Sequence, residues 1–205
     1  MSLKLGVLCS GRGTDLQSII DAISAKKLDA EIAIVLTDRP NVPALIRAEK
    51  AKIENICVDR KQFSDQKAFE GKLLDHLFRV GVDLVVLAGF MRLLSSKFIR
   101  AYPNKIMNIH PALLPNFPGT HAQRDALEYG VKISGCTIHF IDEGMDTGPI
   151  ILQAAVPVLE DDTEETLSRR ILEEEHKLYP RAIQLYAEGR LKIEGRRVRI
   201  LEELL

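Results

Sequence analysis

Residues 83–90, DLVVLAGF, are almost uninterrupted apolar and β-branched. A strand that alternates apolar and polar residues can leave one face in water. One that does not alternate must be covered on both faces, as a central parallel strand is between two layers of helix. Residues 3–9 have the same character and run into Ser10-Gly11-Arg12-Gly13-Thr14-Asp15, after which Leu16, Ile19, Ile20 and Ile23 recur at helical spacing. That is strand, glycine turn, helix, and the alternation continues along the chain. Strands are expected at 30–36, 53–58, 106–110, 133–141 and 150–156, and helices from 41 through Lys50 and over 63–80, 95–101, 120–130 and 163–187. Gly81 should close the helix over 63–80, and Pro180 should kink the one over 163–187. The strands at 133–141 and 150–156 are too close in sequence for a helical crossover and should pair antiparallel. Residues 191–200 alternate around Glu194-Gly195 as a small edge hairpin. The expected fold is α/β and Rossmann-like: a mostly parallel, twisted, seven-stranded sheet with helices on both faces and one antiparallel strand towards the C-terminal half. With 205 residues and 46% hydrophobic content, the chain fills one such domain, 1–205, and not comfortably two.

Polar residues that interrupt this pattern mark candidate chemistry. In Ile106-Met107-Asn108-Ile109-His110, Asn108 and His110 share one face of a strand while Met107 and Ile109 point to the other. Pro111 stops the ladder. Asp146 lies in a Gly-bracketed, Pro-terminated segment, 142–149, that can bring a carboxylate to that face. An amide donor, an imidazole and a carboxylate to orient it and favour its charged form make a polarising site without a nucleophile, suited to an oxyanion formed by another group's attack. Taken singly, each residue has an ordinary reading as a satisfied strand-end histidine or a turn former. The rigid stretch PALLPNFPG directly after the strand is better pocket wall than turn. At the glycine turn, Gly11 and Gly13 allow a tight bend, and the helix N-terminus beyond offers N–H donors to an anion. A ligand-free turn fits the same residues. Thr14 and Gln17 have capping-box spacing.

MNIHPALLPNFPG followed by D-x-G-P resembles the signature of the folate-dependent formyltransferases, and the likeness runs through nearly the whole chain. It implies transfer of the formyl group of 10-formyltetrahydrofolate to an amine, with Asn108, His110 and Asp146 on the catalytic positions. The glycine loop and compact length imply 5-phosphoribosylglycinamide as the amine substrate, in de novo purine biosynthesis. Gly11, Gly13, Thr14 and Asp15 then match the phosphate loop, Glu175 the position that binds the ribose hydroxyls, and Gln66, Met91, Arg92, Leu93, Leu94, Asn108 and Asp142 the folate contacts. Two residues depart from the pattern. Asp15 stands where asparagine is common, and a carboxylate beside a phosphate dianion is repelled by about 1 kcal/mol or more unless Arg12 offsets it or the side chain turns to the helix N-terminus. Gln66 stands where some members carry an arginine for the folate tail, a role Lys67 or Arg60 could take.

Lys plus Arg number 28 against 29 Asp plus Glu, a net charge of −1, which gives no electrostatic reason to bind nucleic acid or an acidic membrane. Cys9, Cys57 and Cys136 are odd in number, widely spaced and set in apolar runs, as in a reducing cytoplasm. No metal is implied. No apolar run is long enough to cross a bilayer, and the chain starts in a strand without a leader-like segment. A soluble monomer or weak homodimer is expected. Three rivals remain on these grounds: a formyltransferase acting on another amine, a hydrolase of the same folate, and a nucleotide-binding Rossmann module, although the loop lacks a third glycine.

Overall fold

The computed structural model describes residues 2–202 and divides into two compact units, Met1–Met107 and Asn108–Leu205. In the first unit β1 (Leu3–Cys9), β2 (Ala30–Thr37), β3 (Asn55–Cys57) and β4 (Leu84–Leu87) lie in the order β3-β2-β1-β4, all parallel. β4 is buried along its whole length, as a strand without alternation must be. It is shorter than the apolar run that predicts it, because Gly89 turns the chain with φ 72°. The connections are α1 (Thr14–Ser24), α2 (Pro43–Lys50), α3 (Gln66–Val80) and α4 (Ser96–Ala101), with a single 3-10 turn at Arg60–Gln62. α3 starts at Asp65, whose side chain accepts the Ala68 N–H, and ends on Gly81 in the left-handed region, as expected.

β5 (Ile106–His110) leads into the second unit, which also contains α5 (Ala122–Tyr129), β6 (Ile133–Phe140), β7 (Ile150–Pro157), α6 (Glu164–Ala187), β8 (Leu191–Glu194) and β9 (Arg197–Ile200). Its strand order is β5-β6-β7-β9-β8. β6 and β7 are antiparallel, β8 and β9 are antiparallel, and β7 pairs parallel with β9 at Ile150 and Arg197. Nine strands therefore stand among the described residues where seven were expected. The additional two are the tail hairpin, which hydrogen-bonds to β7, and antiparallel pairing involves more than one strand. The α/β class and the mostly parallel first half are as expected.

α6 covers β6 and β7 through Leu167 and Ile171 against Cys136 and Val156. Pro180 sits inside this helix, buried beside Tyr179, without ending it. Its N-terminus carries a capping box of two threonines. Thr163 Oγ1 accepts the Thr166 N–H at 3.2 Å, and Thr166 Oγ1 accepts the Thr163 N–H at 2.9 Å. Asp162, just before the cap, accepts two guanidinium N–H bonds from Arg170 at 2.7 and 2.9 Å, and this pairing holds its carboxyl below the usual range. Replacement of Thr163 by alanine should cost about 1 kcal/mol. In a chain of this size that lowers the thermal midpoint by about 2–4 °C, and calorimetry will detect it; an unchanged midpoint would show that the second threonine holds the turn alone.

Candidate active site

β5 presents Asn108 and His110 from one face, and two loops of the same unit close on them. His110 is buried. Its Nε2 lies 2.7 Å from the Phe117 carbonyl oxygen, so Nε2 carries a hydrogen and donates. Its Nδ1 faces Asp146 Oδ2 at 3.5 Å. The same Asp146 oxygen accepts the Gly119 N–H at 2.8 Å, so one carboxylate joins the proline loop to the imidazole. Asp146 adopts φ 53°, a left-handed conformation that aspartate tolerates better than most residues. The loop around it is braced. Asp142 Oδ1 accepts the Thr147 hydroxyl at 2.6 Å and the Gly144 N–H at 3.1 Å. Arg196, in the turn of the tail hairpin, donates to the Thr147 carbonyl at 3.0 Å. A Cβ at Gly148 would stand 1.7 Å from the Phe140 carbonyl oxygen, so only glycine lets the chain pass the end of β6 there.

A second histidine joins this cluster, and the sequence reading above does not single it out. His139 on β6 is fully buried. Its Nε2 is 3.1 Å from Asn108 Nδ2 and 3.8 Å from Asp146 Oδ1, and its Nδ1 is 3.0 Å from the Phe140 carbonyl oxygen. Burial lowers its pKa, opposed by that carbonyl and by Asp146. Two residues earlier on the same face, Thr137 Oγ1 donates to the Ala112 carbonyl at 2.7 Å. It also accepts from Leu114 N–H at 3.0 Å and from Gln153 Nε2 at 2.9 Å. Thr137 and His139 thus repeat, one strand later, the polar i, i+2 pattern of Asn108 and His110; that periodicity in ISGCTIHF was a signal available in the sequence. His121 sits at the start of α5 without a side-chain capping bond.

In the first unit the glycine turn is built differently from its sequence pattern. Gly13, not Thr14, is the N-cap of α1, with φ 68° and no side chain to cap the turn, so the Thr14–Gln17 capping box does not form. A Cβ on Gly13 would meet Ala44 Cβ at 2.8 Å. Gln17 instead accepts Arg47 Nη1 at 3.0 Å, while Arg47 Nε donates to the Arg12 carbonyl at 2.9 Å. Arg47, distant in sequence, therefore fixes the shape of the loop, which has no side-chain cap on the first helical turn. Asp15 is buried, and its carboxyl is pushed up to about 6 by burial, opposed by Arg12 and by its own backbone N–H. Arg12 thus offsets part of the cost of the carboxylate and does not cancel it.

Met91 and Leu93 are exposed apolar residues on the segment after β4, not core. The segment is tied down at three points. The Met91 N–H donates to Ser10 Oγ at 2.9 Å, and Arg92 Nε donates to the buried Asp38 carboxylate at 2.5 Å while its guanidinium lies over the Phe69 ring. Gln66 Nε2 donates to the Leu93 carbonyl at 3.0 Å and to Glu70 at 2.8 Å. Glu70 is buried and also accepts from the Ser95 N–H at 2.8 Å and from the Ser95 hydroxyl. Gln66 is therefore a strut of the segment 91–95 and not a free arm, and Leu94 is half-buried. Arg60 donates to the Phe63 carbonyl and lies over the same Phe69 ring, so it too is engaged locally. In the second unit, Glu175 is buried in α6 although Glu173 is exposed. No three His, Cys, Asp or Glu side chains are grouped as metal ligands would be among the described residues, and no helix is long and apolar enough to cross a membrane.

A family model described as formyl transferase matches residues 3–183. The chain is 46% identical over 188 residues to the trifunctional purine biosynthetic protein adenosine-3 of Drosophila melanogaster, a match that covers 91% of this chain and 14% of that protein. The chain thus spans about one seventh of the trifunctional relative. It is 40% identical over 191 residues to the phosphoribosylglycinamide formyltransferase of Haemophilus influenzae, covering 93% of this chain and 90% of the relative. The crystal structure of glycinamide ribonucleotide transformylase 1 from Symbiobacterium toebii matches with a TM-score of 0.97 and 54% identity, over 98% of this chain and 95% of that one.

A titration prediction follows from Asp15. A carboxyl whose folded pKa is raised is neutral in both states below the unfolded value near 4. It destabilises the folded state progressively as pH climbs to about 6 and beyond. Asp15→Asn should therefore be more stable than the parent at pH 7–8, by an amount on the order of a few kcal/mol, with the difference vanishing below about pH 4. Chemical denaturation at several pH values measures this; a stability difference independent of pH would refute it.

Proposed function

The chain belongs to the formyl transferase family, and on that footing we propose that it transfers the formyl group of 10-formyltetrahydrofolate to the amine of 5-phosphoribosylglycinamide in de novo purine biosynthesis. The observation that carries the reading is the approach of Asp146 to His110 Nδ1 at 3.5 Å, with Asn108 one pleat away on the same strand face. The neutral amine attacks the formyl carbon, the new C–N bond forms, and negative charge grows on the formyl oxygen. As the bond to the folate N10 breaks, the proton lost by the amine is delivered to N10. The enzyme supplies no nucleophile. It supplies donors to the oxygen, the Asn108 amide and the His110 ring, each worth about 3–4 kcal/mol of barrier in sites of this kind. Asp146 orients the ring and assists the proton transfer.

The Phe117 carbonyl accepts a hydrogen bond from His110 Nε2 at 2.7 Å. Nε2 reaches a substrate oxygen only by giving up that carbonyl, an exchange that the stronger bond to a developing oxyanion drives forward.

The other residues bind and position. The N–H groups after Gly11 and Gly13, with the Thr14 hydroxyl, take the substrate phosphate, which fixes the amine within reach of the formyl carbon. Glu175 takes the ribose hydroxyls. Backbone groups of Met91, Arg92, Leu93 and Leu94 read the pterin edge, while Gln66 and Asp142 serve folate binding through the loops they brace. The reaction uses no metal and no covalent enzyme intermediate, and involves neither nucleic acid nor membrane. The chain works as one domain, monomeric or weakly dimeric, in a reducing cytoplasm.

His110→Ala and Asp146→Asn test this. Both should lose formyl transfer by a factor of about 100 or more while still binding phosphoribosylglycinamide in a calorimetric titration. Full turnover in either variant would overturn the assignment.

A further inference from the structure

We infer that Ser10 is a positioning residue, which holds the glycine turn and the segment 91–95 in register so that an amine anchored on the one meets a formyl group anchored on the other. The inference deepens the proposed function and rests on it. β1 and β4 pair in parallel as far as Leu8 and Leu87, and the Ala88 N–H still donates to the Leu8 carbonyl at 2.9 Å. Gly89 then turns with φ 72° and the two chains part. One becomes the turn that takes the substrate phosphate in the proposed reaction, the other the segment that reads the pterin edge. Ser10 bridges the fork. Its N–H donates to the Gly89 carbonyl at 3.0 Å, and its Oγ accepts the Met91 N–H at 2.9 Å. A continuing parallel ladder would send that second bond to the Ser10 carbonyl. The hydroxyl takes it instead, which keeps the branches joined while the main chain after Ser10 bends into the turn.

The two branches are otherwise fastened to different elements. The Gly11 carbonyl accepts the Ala44 N–H at 3.2 Å and the Arg12 carbonyl accepts Arg47 Nε at 2.9 Å, both from α2. The segment 91–95 is held by Asp38 at the end of β2 and by Gln66 and Glu70 on α3. Ser10 ties one branch directly to the other, and at 3% exposure its hydroxyl is shielded from competing water. Bond formation between two bound reactants needs their atoms about 3–3.5 Å apart, and an error of about 1 Å costs roughly 100-fold in rate. In the proposed reaction Ser10 touches neither reacting atom. Its loss leaves each ligand its own binding groups and disturbs the placement of one against the other.

Ser10→Ala removes the acceptor without adding bulk, and a split between rate and affinity makes the test specific. With 10-formyl-5,8-dideazafolate and phosphoribosylglycinamide both saturating, the single-turnover rate of formyl transfer should fall roughly tenfold or more. Calorimetric Kd values for phosphoribosylglycinamide alone and for 5,8-dideazafolate alone should each stay within about threefold of the parent, since uniform binding is not what is lost. Ser10→Cys keeps the shape with a weak sulfur acceptor. Its rate should lie between those of the parent and the alanine variant, and it carries the comparison if the alanine variant does not fold. A transfer rate in Ser10→Ala equal to the parent's, or a slower rate matched by an equal loss of affinity for either ligand, would overturn the inference. A parent protein that neither binds phosphoribosylglycinamide nor formylates it would instead overturn the proposed function, and the inference with it.

Discussion

Placing a buried imidazole and a half-buried carboxamide at the end of a strand is costly unless their hydrogen-bonding groups find partners, and much of the second unit meets that demand. An unpaired polar group in such a place costs about 1–3 kcal/mol. β5 supplies none of the partners. They come from the Phe117 carbonyl in the proline loop, the Asp146 carboxylate in the β6–β7 loop, and the His139 ring on β6. Each of these loops is in turn tied to something rigid. The proline loop is tied to Thr137 and Gln153, and the Asp146 loop is braced from within by Asp142 and from the tail hairpin by Arg196. In the proposed reaction the Asn108 amide is preset for the developing charge, whereas His110 Nε2 must exchange the Phe117 carbonyl for it.

The first unit repeats the device with different groups. The glycine turn takes its shape from Arg47 and the close approach of Ala44, and the segment 91–95 from Ser10, Asp38, Gln66 and Glu70. In both places side chains brace the backbone. Gln66 has structural work within the unit, and Asp15 is partly compensated by Arg12.

How much of this the sequence disclosed depended on whether the cause was local. β1 and β5 begin and end where the apolar runs do, because a serine-glycine turn and Pro111 cut them off. The convergence of His110 and Asp146 was legible because strand alternation and a Gly-Pro loop are both local signals. The capping box at Thr14 failed because Gly13 occupies the N-cap, and that depends on Ala44 packing against it, a contact across 31 positions of sequence. Arg47 was invisible for the same reason. His139 was within reach, since its spacing from Thr137 marks two buried polar residues on one face, but a run that is otherwise apolar reads first as core. The tail hairpin reads as an edge feature, and nothing local announces that β9 joins β7 and that Arg196 reaches the Asp146 loop.

The role given to Asn108, His110 and Asp146 requires that the formyl group leave the folate only when an amine attacks it. The most direct measurement is the absorbance change on deformylation of 10-formyl-5,8-dideazafolate, followed with phosphoribosylglycinamide, with other amines, and with buffer alone. Turnover confined to phosphoribosylglycinamide is the expected result. Release of the deformylated folate at the same rate in buffer would mean that water is the acceptor, and would contradict it.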